Sequence, residues 1–242
     1  MKRLTLALAL LLTSSAFGGE ILIPAVFRGP GAQNTLWRTE VVVSNITASV
    51  HAQPVPITIT LHRDNGETLN VSMPLSPMEV LDIPDAVHDW FSVENGGGIV
   101  RVTWSDDNAR ISARARIYNA GEHGEYGQTV AGVDTRKLVT DHFLTGLTGI
   151  GGNRTNVGIS NPSTTPALVW IELFDTAGLS RGAFATSVDA RSYRQFNDIF
   201  SYFGTGPLNA AMVRVSASNV AVLAYASIVR NDTGDASFVT SE

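Results

Sequence analysis

The stretch Arg38-Thr39-Glu40-Val41-Val42-Val43-Ser44-Asn45 returns 116 residues later as Arg154-Thr155-Asn156-Val157-Gly158-Ile159-Ser160-Asn161. A short run of β-branched residues between polar ends reads as a strand. Further matches follow in the same order. Gly66 answers to Gly178, each after a strand-like run and an Asp, and Ile83-Pro84-Asp85-Ala86-Val87 answers to Phe196-Asn197-Asp198-Ile199-Phe200. Val100-Arg101-Val102 matches Val213-Arg214-Val215, and Ile117-Tyr118-Asn119 matches Val229-Arg230-Asn231. The offset drifts from 116 to 112 or 113, as loop-length differences within one fold would make it. The chain therefore reads as a tandem of two related domains, 19–131 and 142–242, joined by a linker over 132–141 where charged residues break the β pattern.

Outward from the repeat, the pattern is β almost throughout. Glu40 to Ser44, Val55 to Leu61, Ile99 to Trp104 and Arg110 to Tyr118 are rich in Val, Ile, Thr and aromatics, with turn chemistry between them. Asp64-Asn65-Gly66 is a hairpin signal, because Asn-Gly accepts the positive φ of a tight turn, and Asp175-Thr176-Ala177-Gly178 matches it. Two short helices are expected, at Pro84 to Phe91 and Asn197 to Phe203. Their aromatic ends would plug the open ends of the sandwiches. The expected fold is all-β: two tandem antiparallel β-sandwich domains, immunoglobulin-like or jelly-roll-like, each with one short helix.

Residues 1–18 read as an export signal: Lys2 and Arg3, the apolar run Leu4 to Leu12, then small residues at Ala16-Phe17-Gly18. The run is shorter than the ~20 residues a membrane span needs. The mature chain would then have no span, and would be secreted or periplasmic. With no cysteine anywhere, disulfides and thiol catalysis are excluded, so each domain must be held by its core. The 17 basic residues less Lys2 and Arg3 leave 15 against 22 acids, a net charge of −7 that argues against nucleic acid as partner.

The repeat unit, from Arg-Thr-x-Val-x-x-Ser-Asn through the Asp-containing helix and Val-Arg-Val to a strand ending in Asn, resembles tandem β-sandwich domains of exported, largely uncharacterised bacterial proteins. Asn231-Asp232-Thr233-Gly234-Asp235 belongs to the same likeness. The second copy, through Ser160-Asn161, Ala190-Arg191-Ser192 and Phe196-Asn197-Asp198, is also similar to the sensory rhodopsin transducer family, a small β-sandwich taken as a ligand-binding or relay module. The resemblance implies fold and brings no catalytic residue with it.

The residues offer little for bond chemistry. Asp232-Thr233-Gly234 has the letters of an aspartic protease loop, but that chemistry needs two such loops, and Asn119-Ala120-Gly121 stands at the equivalent place. Asp82, Asp85, His88 and Asp89 have Gln195, Asp198 and Tyr202 as counterparts in copy two, which suits a helix cap better than a metal site. The acids Asp106, Asp107, Asp232 and Asp235 lack calcium-loop spacing. The five histidines, His51, His62, His88, His123 and His142, form no ligand motif. No enzyme, cofactor or metal is expected.

Arg38 and Arg154 are expected to pair with Asp85 and Asp198, tethering each helix to its sheet. Ligand binding is assigned to Arg110, Arg114, Arg116 and Tyr118, which alternate with Ile111, Ala113, Ala115 and Ile117 on one strand; the residues of copy two aligned with the arginine face are the apolar Val222, Ala224, Ala226 and Ile228. Trp37 and Trp104 stand beside turns, as sugar-stacking rings do in carbohydrate-binding sandwiches. The function expected is an exported binding or adhesion-type module for an unknown protein or glycan. The alternatives are a carbohydrate-binding module and a periplasmic assembly chaperone, for which only Arg136 and Lys137 offer basic residues at the junction.

Overall fold

The computed structural model describes residues 18–31, 35–48, 53–121 and 124–241. The expected export signal, His51 and His123 lie outside these residues, apart from Gly18. The first unit is built from β1 (Gly19–Pro30), β2 (Leu36–Asn45), β3 (Val55–Arg63), β4 (Thr68–Leu75), β5 (Val80–Ile83), α1 (Ala86–Asp89), β6 (Gly96–Trp104), β7 (Ile111–Gly121) and β8 (Gly124–Ala131). After β9 (Val133–Asp134) the second unit runs β10 (Asp141–Leu147), β11 (Asn153–Asn161), β12 (Ala167–Phe174), β13 (Ser180–Val188), β14 (Ser192–Phe196), α2 (Ile199–Phe203), β15 (Ala211–Ala217), β16 (Leu223–Arg230) and β17 (Ala236–Thr240).

The second unit is a sandwich of two antiparallel sheets, β10-β15-β12-β13 and β14-β11-β16-β17. The first has the same order, β1-β6-β3-β4 against β5-β2-β7-β8, except that the end of β1 crosses over to pair Gly29 and Pro30 with β2. Alternating side chains fill each interior. Ile23, Val41, Ile59, Val102 and Ala115 lie in one core, and Leu144, Val157, Ile171, Val215 and Ala226 in the other. The hairpin turns fall where Asn-Gly and Ala-Gly suggest, with Gly66 at φ 85° and Gly178 at φ 75°.

The duplicated motif has a mechanical explanation. The Thr39 hydroxyl donates to the Phe27 carbonyl and the Thr155 hydroxyl to the Thr148 carbonyl, both at 2.7 Å. The Asn45 amide donates to Leu75 O and the Asn161 amide to Val188 O, both at 3.0 Å. In each unit the Thr thus ties one sheet to the first strand, and the buried Asn holds the end of the fourth. Buried polar groups persist where such partners exist.

Residues 132–141 are packed. Val133 and Asp134 pair with Leu22 and Ile21 of β1, and Val139 bridges to Val222. The two units meet sheet face to sheet face. Leu22 and Ile99 on the outer face of β1-β6 cluster with Leu223 of β16. Ser160 donates to the Pro24 carbonyl (2.6 Å), which a register break in β1 between Ile23 and Val26 presents to it, and Ser227 donates to Gln128 (2.7 Å). Tyr225, 2% exposed, reaches the first unit's core, stacks on Phe238 at 5.1 Å and donates to Gln195. Its ring fits over Gly158, where any Cβ would collide with it.

Strand pairing corrects the alignment of β7 with β16. Val41 lies beside Ala115, and its counterpart Val157 lies beside Ala226. Arg114 therefore corresponds to Tyr225, Arg116 to Ser227 and Ser112 to Leu223. The sequence alignment is one residue out, and a one-residue slip exchanges the faces of a strand. Val222, Ala224 and Ala226 face the core. The true counterparts of the arginine row are the side chains buried in the joint.

Candidate functional site

Asp85 opens α1 in the first unit, and Arg28 holds it from 3.0 Å; Arg38 stands farther off at 3.8 Å. The expected pair of Arg154 with Asp198 does not form. Arg154 donates instead to Asn231 (2.5 Å), while the Asp198 carboxylate takes the Ser201 hydroxyl. The reason is local. Asp198 sits at φ 51° and its N–H is held by Asn156 (3.1 Å), and the place of Arg28 is taken by Gly149, which has no side chain to offer.

The arginine face is largely neutralised. Arg114 pairs with Glu40 at 3.4 Å and Arg116 with Glu125 at 3.0 Å, the latter lying 4.8 Å over the Tyr118 ring. Arg110 lies exposed ahead of the strand. Tyr118 is no surface ring: it is buried and donates to the Pro84 carbonyl at 3.2 Å. Trp104 packs against the core and over Gly19, which has no Cβ to obstruct it. Its ring is half-buried and its indole N–H is buried without an acceptor.

Trp37 is different. At the start of β2 it faces a cleft of about 640 Å³ where the two units meet, within the range of small-molecule sites. Phe27 and Tyr193 supply further rings; Asn156, Gln195 and Asn197 supply amides; Arg154 and Arg194 supply cations and Asp64 a carboxylate. Only Trp37 and Arg154 were singled out in the sequence. The rest could not be found there, because they converge from β1, β11 and β14 only once the units dock. Burial beside Asp64 pushes the Tyr193 phenol up to about 12, so it stays a neutral donor. The amides are pre-positioned: the Gln195 side chain donates to Asn197 (2.8 Å) while accepting from Tyr225 (3.1 Å). Aromatic faces with fixed amides suit a polar ring-shaped ligand, which needs stacking and hydrogen bonds together.

Other polar clusters have structural partners. His142 is buried, its Nε2 directed at the Val222 and Val139 carbonyls (3.0 and 3.2 Å) and its Nδ1 at Ser241 (2.8 Å). Burial lowers its pKa, and the ring ties Ser241 to the Val139 and Val222 carbonyls. Asp232 is a turn acid whose bond from Arg230 holds its pKa down to about 2. Arg136 folds back onto Asp134 at 2.7 Å and takes no part in the cleft. Among the described residues no three His, Asp or Glu side chains are grouped to hold a metal ion, and no helix is long and apolar enough to cross a membrane.

No family model and no curated protein matches the chain. Among solved structures it is similar to the infectious bursal disease virus Gx strain structure (10% identity, 87% of this chain and 66% of the other, TM-score 0.20). It is also similar to a tetra-tandem repeat from the extending region of a large adhesion protein (11%, 95% and 68%, 0.19). A lectin from Pleurotus ostreatus in complex with GalNAc gives 13% identity over 94% and 85% of the chains, with a TM-score of 0.16.

Proposed function

We propose that this chain is an exported, non-enzymatic binding module of adhesion type, which holds its ligand in the cleft between its two sandwich units. The observation that carries the reading is the convergence of Trp37, Phe27 and Tyr193 with Asn156, Gln195, Asn197 and Arg154 around one open cleft. A glycan is the ligand this lining favours. A pyranose ring presents an apolar face to an indole and hydroxyls to amides, whereas an extended peptide would use a sheet edge. An assembly chaperone is not favoured, since Arg136 is already paired with Asp134.

The test is a glycan and peptide binding screen on the purified protein, followed by titration calorimetry with Trp37→Ala and Gln195→Ala. Each substitution should weaken glycan binding by about tenfold or more, equivalent to roughly 1.4 kcal/mol. The recovered glycan should be chemically unchanged. Binding that is indifferent to both substitutions, or a shortened glycan, overturns the reading. Export is checked separately, by finding a mature N-terminus near Gly19 outside the cytoplasm.

A further inference from the structure

The hydrogen bonds beneath the cleft all run in one sense. Asn156 is only 7% exposed, and its side-chain oxygen accepts the backbone N–H of Asp198 at 3.1 Å. A backbone N–H can only donate, so the amide is fixed one way round and its NH2 is left for the cleft it lines. Burial keeps the Tyr225 phenol protonated, and its hydroxyl donates to the Gln195 side-chain oxygen (3.1 Å). Gln195 donates in turn to the Asn197 oxygen (2.8 Å), which leaves the Asn197 NH2 over. On the other unit the Gln128 oxygen takes the Ser227 hydroxyl at 2.7 Å. Each of these four amides has its oxygen engaged and an N–H to spare. Arg154 stands on the same face of β11 as Asn156 and adds further donors, one of which goes to Asn231. Among the described residues the arginines are paired with carboxylates, except Arg110, Arg191 and the two that line the cleft, Arg154 and Arg194. Asp64 is the one carboxylate in the lining.

We propose that the cleft selects a carboxylate-bearing glycan, a uronate in preference to a neutral sugar, with the carboxylate held by Arg154 and the N–H groups of Asn156 and Asn197. The inference rests on the glycan reading above and narrows it. A neutral hydroxyl brings a donor with every acceptor, so a neutral sugar would leave part of this donor surplus unmet, and unmet donors weaken binding. A carboxylate brings acceptors alone, in a plane that matches the guanidinium fork. Asp64 remains to accept from a ring hydroxyl.

The test is titration calorimetry of the protein against oligosaccharides of galacturonate, glucuronate and guluronate. Each is paired with its methyl ester, which keeps the shape and removes the charge, and a sulfated galactan is run beside them. At least one acid form should bind about tenfold or more tighter than its ester. Arg154→Met removes the cation; Asn197→Asp keeps the bond from Gln195 and puts a negative charge in place of the donor. Each should cut the preference to about twofold or less while the ester binds as before. Circular dichroism melts check that the variants are folded, and should one be misfolded the other decides. Acid and ester bound alike, a preference untouched by both variants, or a sulfated galactan preferred to every uronate overturns this inference and leaves the glycan reading standing. A protein that binds no glycan of any charge overturns both.

Discussion

Tyr225 and Gly158 are a matched pair across β16 and β11, and their coupling can be measured. Tyr225→Ala removes a fully buried ring that stacks on Phe238 and enters the first unit's core. Truncations of this size cost about 3–5 kcal/mol. Gly158→Ala places a methyl inside the space of the tyrosine ring. Overpacking of that kind costs about 1–3 kcal/mol, offset by roughly 0.5–1 kcal/mol because alanine loses less backbone entropy than glycine in a strand. In the double variant the ring is gone, the clash vanishes and only the entropic gain remains. The double variant should therefore be no less stable than Tyr225→Ala alone, a coupling of about 2 kcal/mol in the favourable direction. Urea unfolding followed by far-ultraviolet circular dichroism supplies the four free energies. Additive losses, within about 0.5 kcal/mol, would refute the packing argument.

Two further outcomes follow from the ion pairs and the buried imidazole. Arg28→Met should cost about 2 kcal/mol and Arg38→Met less than about 1, because only Arg28 is close to the shielded Asp85 carboxylate; equal losses in thermal unfolding would count against that. His62 is buried on β3 with its Nε2 unpartnered, and burial with Arg101 and Arg191 nearby pushes its pKa down to about 4. The folded protein therefore resists protonation that the unfolded chain accepts. Stability should fall as pH drops from about 6.5 to about 4, by up to ~3 kcal/mol, and His62→Leu should flatten that profile.

Much of this fold was legible because its instructions are local. The hairpin glycines and the alternation of β7 act within a few residues, whereas Asp85 and Asp198, expected to cap their helices, make no side-chain bond to the helix N–H groups. The slip at β16 shows where such reading stops. From Ala221 to Ala226 the strand is apolar on both faces, since one faces the core and the other the joint, so alternation carries no sign of which is which. The pairing of Arg154 with Asn231 was hidden for a related reason: the two residues stand 77 positions apart and meet only when β11 pairs with β16. The cleft was hidden because docking creates it.

The crossing strand β1 also sets an order in time. Gly19 to Ile23 pair with Val100 to Trp104, and Ile21 and Leu22 with Asp134 and Val133, so the first residues of the sandwich wait for partners made some hundred positions later. Contacts this distant in sequence slow folding. Once the first unit closes, Leu22 and Ile99 remain open to water until Leu223 and Tyr225 arrive with the last strands of the second. A chain made from its N-terminus therefore holds Leu22 and Ile99 without their cover until residue 223 is available, and bare apolar surface of this kind favours aggregation.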